Sequence, residues 1–156
     1  MKTNKLTLLS LALLTTLILG VAFMVSQAQT EVKANVAWDP KYLTYDTTPP
    51  EPYNAEVWLT GGHKAQTEIN ATTILLEGLY SPSGTPYNAI HGPRLIIPFA
   101  GADVKAAIFL KLPSHMGILT PGTYRIPLEI TGKLYTGETF RGDGVIVVTV
   151  PNPPPP

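Results

Sequence analysis

Beyond residue 30 the chain alternates apolar and polar positions with a period of two in one segment after another, and no apolar stripe of period 3.6 runs longer than two turns. The elements this predicts are strands. Residues 31–38 put Val32, Ala34, Val36 and Trp38 on one face and Glu31, Lys33 and Asn35 on the other. Asp39-Pro40 ends that segment, because proline carries no N–H for a ladder and restricts the residue before it. A passage holding Pro49, Pro50 and Pro52 reads as an extended crossing, with a short strand at 42–45. Residues 54–60 alternate again, Ala55, Val57 and Leu59 against Glu56, Trp58 and Thr60, and Gly61-Gly62 supplies a turn. Further strands are expected at 72–79, 94–99, 104–112, 123–131 and 145–150. Pro98 confines the second of these to an edge or a bulge, and Tyr124, Ile126, Leu128 and Ile130 form the inward face of the fourth. A hairpin is expected within 132–140, around Thr136-Gly137.

Seven or eight short strands with turn signals between them argue an all-β fold, an antiparallel two-sheet β-sandwich in which each sheet hides one face against the other. Residues 1–28 stand apart from it. A short positive stretch with Lys2 and Lys5 precedes an apolar run over 6–25, and Ser26 and Ala28 occupy the small-residue positions read before a cut after Ala28. This is the pattern of a signal peptide, so the chain is expected to be exported and to be extracellular or at the cell surface. Because the run approaches the ~20 residues that span a bilayer, an uncleaved hydrophobic anchor helix is the alternative. In either case the positive-inside rule places the remainder outside, and any membrane contact is through this N-terminal segment alone. The organisation is then a leader over 1–28, one domain over 29–150 and a proline-rich tail over 151–156, expected as an exposed polyproline II rod.

Composition narrows the function classes. Eleven basic residues balance eleven acidic ones and only 14% of residues are charged, which leaves no basic surface for a nucleic-acid backbone. With no cysteine, disulfides, thiolate metal sites and cysteine nucleophiles are excluded. Loss of Lys2 and Lys5 with the leader would turn the neutral balance slightly acidic.

Several stretches follow one order: Val36-Ala37-Trp38-Asp39-Pro40 with Leu43, the strand from Ala55 to Leu59, and Ile69 through Thr72-Thr73-Ile74-Leu75-Leu76 to Gly78. Leu119-Thr120-Pro121-Gly122 and Thr131-Gly132-Lys133-Leu134-Tyr135-Thr136-Gly137-Glu138-Thr139-Phe140 complete it. The order resembles a small Ig-like β-sandwich module of secreted and cell-surface archaeal and bacterial proteins, over about residues 36–150. The resemblance implies a non-enzymatic structural or interaction module, with no catalytic residue to carry across. Members often hold an Asp-rich stretch suited to calcium, whereas the corresponding Tyr87-Asn88-Ala89-Ile90-His91-Gly92-Pro93-Arg94 contains no carboxylate; no metal or other cofactor is expected.

Candidate chemistry is sparse. His63, His91 and His115 fall in three separate predicted loops without ligand spacing. Asn70-Ala71-Thr72 is the only N-x-Thr sequon, so Asn70 is either glycosylated or a turn-capping residue. Arg141-Gly142-Asp143 and the following Gly144 read as a tight turn rather than an adhesion motif. Aromatics crowd the proline-rich passage: Trp38 belongs to a core face, whereas Tyr42, Tyr45, Tyr53 and Trp58 either cover the sheet or form an exposed platform for a glycan or a peptide. The expected partners are other copies of the chain or cell-surface proteins and glycans. Residues 31–38 either pair within their own domain or are donated to a neighbour, building a filament by strand exchange.

Overall fold

The computed structural model describes residues 30–115 and 118–152. The expected leader over 1–28 and the prolines at 153–156 lie outside the described residues. The chain runs through β1 (Glu31–Asp39), β2 (Tyr42–Thr44), β3 (Tyr53–Leu59), a short helix α1 (Ala65–Glu68), β4 (Ile69–Leu76), β5 (Tyr87–Asn88) and β6 (Leu95–Phe99). A second helix α2 (Gly101–Phe109) follows, then β7 (Ser114–His115), β8 (Ile118–Leu119), β9 (Gly122–Leu134) and β10 (Thr139–Val150). The fold is all-β in character, and the strands expected around residues 31–38, 54–60, 94–99 and 123–131 are present.

Eight strands form one curled sheet in the order β4-β9-β10-β1-β3-β6-β5, with β2 pairing β10 off this path. The expectation of purely antiparallel pairing is corrected at two places: β2 runs parallel to β10, and so does the start of β1, through Glu31–Lys33 opposite Thr139–Arg141. From Ala34 onward β1 leaves β10 and pairs antiparallel with β3. One strand thus joins the half built on the long β9–β10 hairpin to the half built on β3 and β6. The faces that curl toward each other supply one core, with Tyr53, Ile74, Leu76, Ile97, Phe99, Leu128, Ile130, Phe140 and Ile146 all at most 1% exposed.

Two glycines make the crossing of β1 possible. Gly142 and Gly144 are not in a turn, as the sequence suggests, but in the middle of β10, facing inward. A Cβ on Gly142 would lie 2.5 Å from the Ala34 carbonyl oxygen, and one on Gly144 would lie 2.6 Å from Trp38 Nε1. Without side chains there, β1 passes directly over β10, and the Trp38 indole N–H donates to the Gly144 carbonyl at 3.1 Å. The real turn of this hairpin is at Thr136-Gly137, where Gly137 has φ of 95°.

The largest correction is at 104–112, expected as a strand. Gly101–Phe109 is helical, with Gly101, Val104, Ala107 and Ile108 buried at helical spacing. Its N-cap, Ala100, has no capping side chain, so the local start signal is missing. Glu51 supplies it from afar: the Gly101 N–H donates to Glu51 Oε1 at 2.8 Å, placing a carboxylate against the orphan donors of the first turn. Pro50 and Pro49 press so closely on Gly101 that a Cβ would meet the Pro50 oxygen at 2.8 Å. The C-terminal end is fastened by Lys111, whose ammonium reaches Glu77 Oε1 at 2.7 Å and the Pro127 carbonyl at 2.8 Å.

Candidate functional site

Strand β3 divides its residues by alternation: Tyr53, Ala55, Val57 and Leu59 enter the core, while Asn54, Glu56 and Trp58 stand half-buried on the outer face. The ladder registers set neighbours on that face. Asp39 lies opposite Asn54, Glu56 lies opposite Ile96, and Tyr87 lies opposite Ile96 from the other side. All five residues of β6 are buried, although only Leu95, Ile97 and Phe99 belong to the core cluster. Ile96 points the other way and is covered by the segment between β5 and β6. This is why residues 95–99 form an unbroken apolar run rather than an alternating one.

That cover leaves a groove of about 600 Å³, with Ile96, Asn54, Glu56 and Asp39 on one side and Tyr87, Asn88, Ala89, Ile90, His91 and Arg94 on the other. The covering loop is tied down by the Ala89 N–H, which donates to the Arg94 carbonyl at 3.0 Å, and by Gln66 Nε2, which donates to the Gly92 carbonyl at 3.2 Å. Arg94 is held on two sides: Nη1 is 2.6 Å from Glu56 Oε2, and the guanidinium sits 5.1 Å from the centre of the Trp58 ring. Asn54 Oδ1 is buried and has no hydrogen-bond partner among the described residues. The groove therefore combines flat side chains that bond through two atoms, a half-exposed Tyr87 ring and one unsatisfied acceptor.

The aromatic residues singled out in the sequence do not form one platform. Trp58 lies beside this groove, beneath Arg94. Tyr53 is fully buried, its ring edge-on to Trp38 at 6.0 Å and its hydroxyl donating to the Pro40 carbonyl at 2.6 Å, so it presents no face to a ligand. Burial, reinforced by the Asp39 carboxylate, pushes the Tyr53 phenol up to about 12. Tyr45 lines a different hollow with Phe109, their rings 6.4 Å apart, and burial raises its phenol as well. Tyr42 stands 70% exposed on β2. Trp38 is in the core, as its phase implies.

Asn70 opens β4 opposite Lys133, and its Oδ1 accepts from the Thr72 N–H at 3.3 Å and from the Thr72 hydroxyl at 2.8 Å. This is the geometry of a turn-capping Asn, and it leaves Nδ2, the atom a glycan would use, out of those two bonds. His63 pairs with Glu68 at 2.7 Å; this bond, with the Lys64 N–H, holds the Glu68 carboxyl below the usual carboxylate range. His91 is at the groove rim, so these two histidines serve separate places. Among the described residues no three His, Asp or Glu side chains gather where a metal ion would be held, and no helix is long and apolar enough to cross a membrane.

Sequence reasoning missed Asp39, Asn54, Glu56, Tyr87 and Arg94 as one group. The one available signal was the unbroken run at 95–99, which demands cover on both faces. The residues that share the groove come from four strands and a loop, and only the registers align them.

Fold and groove together define an all-β protein with a surface concavity on one half of its sheet. Compared with protein-family models, curated proteins and solved structures, the chain matches none of them.

Proposed function

We propose that the chain is an exported, non-enzymatic module that acts at the cell surface by holding a partner, either another copy of itself or a surface protein or glycan. The observation that carries this reading is the groove beside β5, where Tyr87 is 52% and Ile90 94% exposed at the rim of a concavity. Large apolar side chains gathered in the open around a hollow mark interaction surfaces. We read the curled sheet as a form of Ig-like β-sandwich, supported by the way β1 serves both halves and by the single core between them. The leader gives the export part of the reading, and membrane contact is confined to it.

Within this reading, filament assembly by strand exchange is supported by the position of β1. It lies in the middle of the sheet, so its withdrawal would open an edge on β10 and another on β3 at once. Only an equivalent strand refills both. Purified protein is expected to elute as oligomers and to show filaments by negative stain; a protein lacking residues 29–38 that still folded as a monomer would end this version.

A carbohydrate ligand is the second reading, favoured by the polar half of the same groove. Asp39, Asn54, Glu56, Asn88 and Arg94 offer paired donors and acceptors to vicinal hydroxyls, and Tyr87 offers a ring face to the C–H side of a sugar. Retention on immobilised polysaccharide, lost with Tyr87→Ala while the melting temperature holds, is the expected result. Monomeric protein retained on no polysaccharide, with Tyr87→Ala and Ile90→Ser indistinguishable from the parent, would overturn both the partner-holding and the glycan readings.

A further inference from the structure

Helix α2 is apolar on two sides. Gly101, Val104, Ala107 and Ile108 face the core, while Ala102, Ala106 and Phe109 recur at helical spacing on the outer side, continued by Leu110 just beyond the helix. A surface helix ordinarily turns charged and polar residues outward, and one that is apolar all round is buried. Yet the outer side of α2 is open: Phe109 is 45% and Leu110 66% exposed. Leu79, also exposed, stands in the turn that Lys111 holds to the helix end through Glu77 at 2.7 Å. Between Phe109, Leu110, Tyr45 and Tyr80 lies a hollow of about 480 Å³, its floor kept low by Ala102 and Ala106.

Two charges frame this face and indicate its occupant. At ~100° per residue, Asp103 and Lys105 lie on opposite flanks of the stripe through Ala102, Ala106 and Phe109, and at ~1.5 Å per residue they are only ~3 Å apart along the axis. The Lys105 ammonium lies 4.8 Å from the centre of the Tyr45 ring, and neither charge has an ion pair among the described residues. A lipid surface favours apolar faces flanked by cations alone, whereas this face carries both signs. A face with one sign on each flank complements a copy of itself in one orientation. A two-fold axis along the helices sets the Asp103 flank of each copy against the Lys105 flank of the other, giving two contacts of opposite charge; a two-fold axis across the helices sets like flanks together. In the first arrangement the alanines let the helices approach closely, and the two Phe109 rings meet as an aromatic pair.

We propose that two copies of the chain pair through the outer sides of α2, the helices running the same way, with Asp103 of each copy against Lys105 of the other. The contact covers the apolar stripe that the single chain leaves open. A face built on one nine-residue helix falls short of the ~20–30 residues a side of a standard interface, so the pair separates on dilution. This inference does not depend on what the groove beside β5 binds.

The chain has no cysteine, so a single introduced one reads the contact. The test oxidises Ala102→Cys, Ala106→Cys and Thr85→Cys variants of the protein. When the helices run the same way each residue of the stripe faces its own counterpart, so the first two are both expected to give disulfide-linked dimers, and Thr85→Cys, in an exposed loop outside α2, to stay monomeric. Sedimentation of the cysteine-free protein measures the association itself. Asp103→Lys and Lys105→Asp should each weaken it at least about tenfold by setting like charges together twice, and the double reversal should restore it. The cysteine result stands even if a single reversal impairs folding. Cross-linking at only one of 102 and 106, or equally at 85, would overturn the proposal. Association that ignores both reversals would overturn it too and leave exchange of β1 as its source. Protein that stays monomeric up to ~1 mM would overturn it as well, and if that monomer floated with phosphatidylcholine vesicles the face would belong to a membrane.

Discussion

Gly142→Ala is the most informative single change for the fold, because it adds one methyl group where β1 crosses β10. The new Cβ would sit 2.5 Å from the Ala34 oxygen, 2.8 Å from the Ala34 carbonyl carbon and 2.9 Å from Ala34 Cβ. Two of these three atoms are backbone, so no rotamer change relieves the overlap and β1 itself must move. Overpacking of this kind costs up to ~3 kcal/mol. Against it stands a gain of ~0.4–1 kcal/mol from the smaller freedom of alanine in the unfolded chain. The expected net loss is about 2 kcal/mol, which for a domain of this size lowers Tm by roughly 10 °C. Gly144→Ala should be similar, because its Cβ would meet Trp38 Nε1 at 2.6 Å and Val36 Cγ1 at 2.7 Å and would disturb the indole hydrogen bond. Once one alanine has displaced β1, the second has less to overcome, so the double variant should lose less than the sum of the two. Gly84→Ala is the control: its new Cβ meets only Pro98 Cγ, at 3.3 Å, and the change should lie within about 0.5 kcal/mol of the parent. Urea denaturation followed by tryptophan fluorescence and by circular dichroism reads all four. If Gly142→Ala proved as stable as Gly84→Ala, the close crossing of β1 over β10 would be wrong.

Other expectations follow from single contacts. Glu77, at φ of 53°, turns the chain away from β9, yet its Oε1 accepts the Glu129 N–H at 2.6 Å where a continuing strand would have offered a carbonyl; Glu77→Ala should cost about 2 kcal/mol by urea titration, and Glu77→Gln clearly less. Tyr53 holds its proton more tightly folded than unfolded, so stability should fall as pH rises from about 10 toward about 12. Tyr53→Phe should remove that slope while costing about 1 kcal/mol at neutral pH through the lost bond to Pro40; an unchanged slope would reject the assignment. Glu51→Ala should weaken α2 by about 1 kcal/mol, seen as faster amide exchange in its first turn, because Ala100 offers no replacement cap. If Asn70 is glycosylated in the native protein, its intact mass should exceed the sequence mass, and Asn70→Gln should abolish the excess.

Period-two alternation marked β1, β3 and β9 and their inward faces before any partner was known, because which side of a strand is buried is written residue by residue. Thr136-Gly137 marked the β9–β10 hairpin for a similarly local reason, and Pro98 marked its own position on β6 at a place beyond the reach of β5. Helix α2 was not legible. Val104, Ile108 and Leu112 fit an alternating strand as well as a helix, and the cap that decides between them, Glu51, lies fifty residues away in sequence. Gly142 and Gly144 look like turn residues until β1 is laid across them. The candidate groove was hidden for the same reason: Asp39, Asn54, Glu56, Tyr87 and Arg94 become neighbours only through three ladder registers and one folded-back loop. The sequence by itself determined the class of fold and the strand faces. Tertiary structure alone decided the crossing of β1, the helix and the site, because caps, registers and close backbone approaches join residues that the chain order keeps apart.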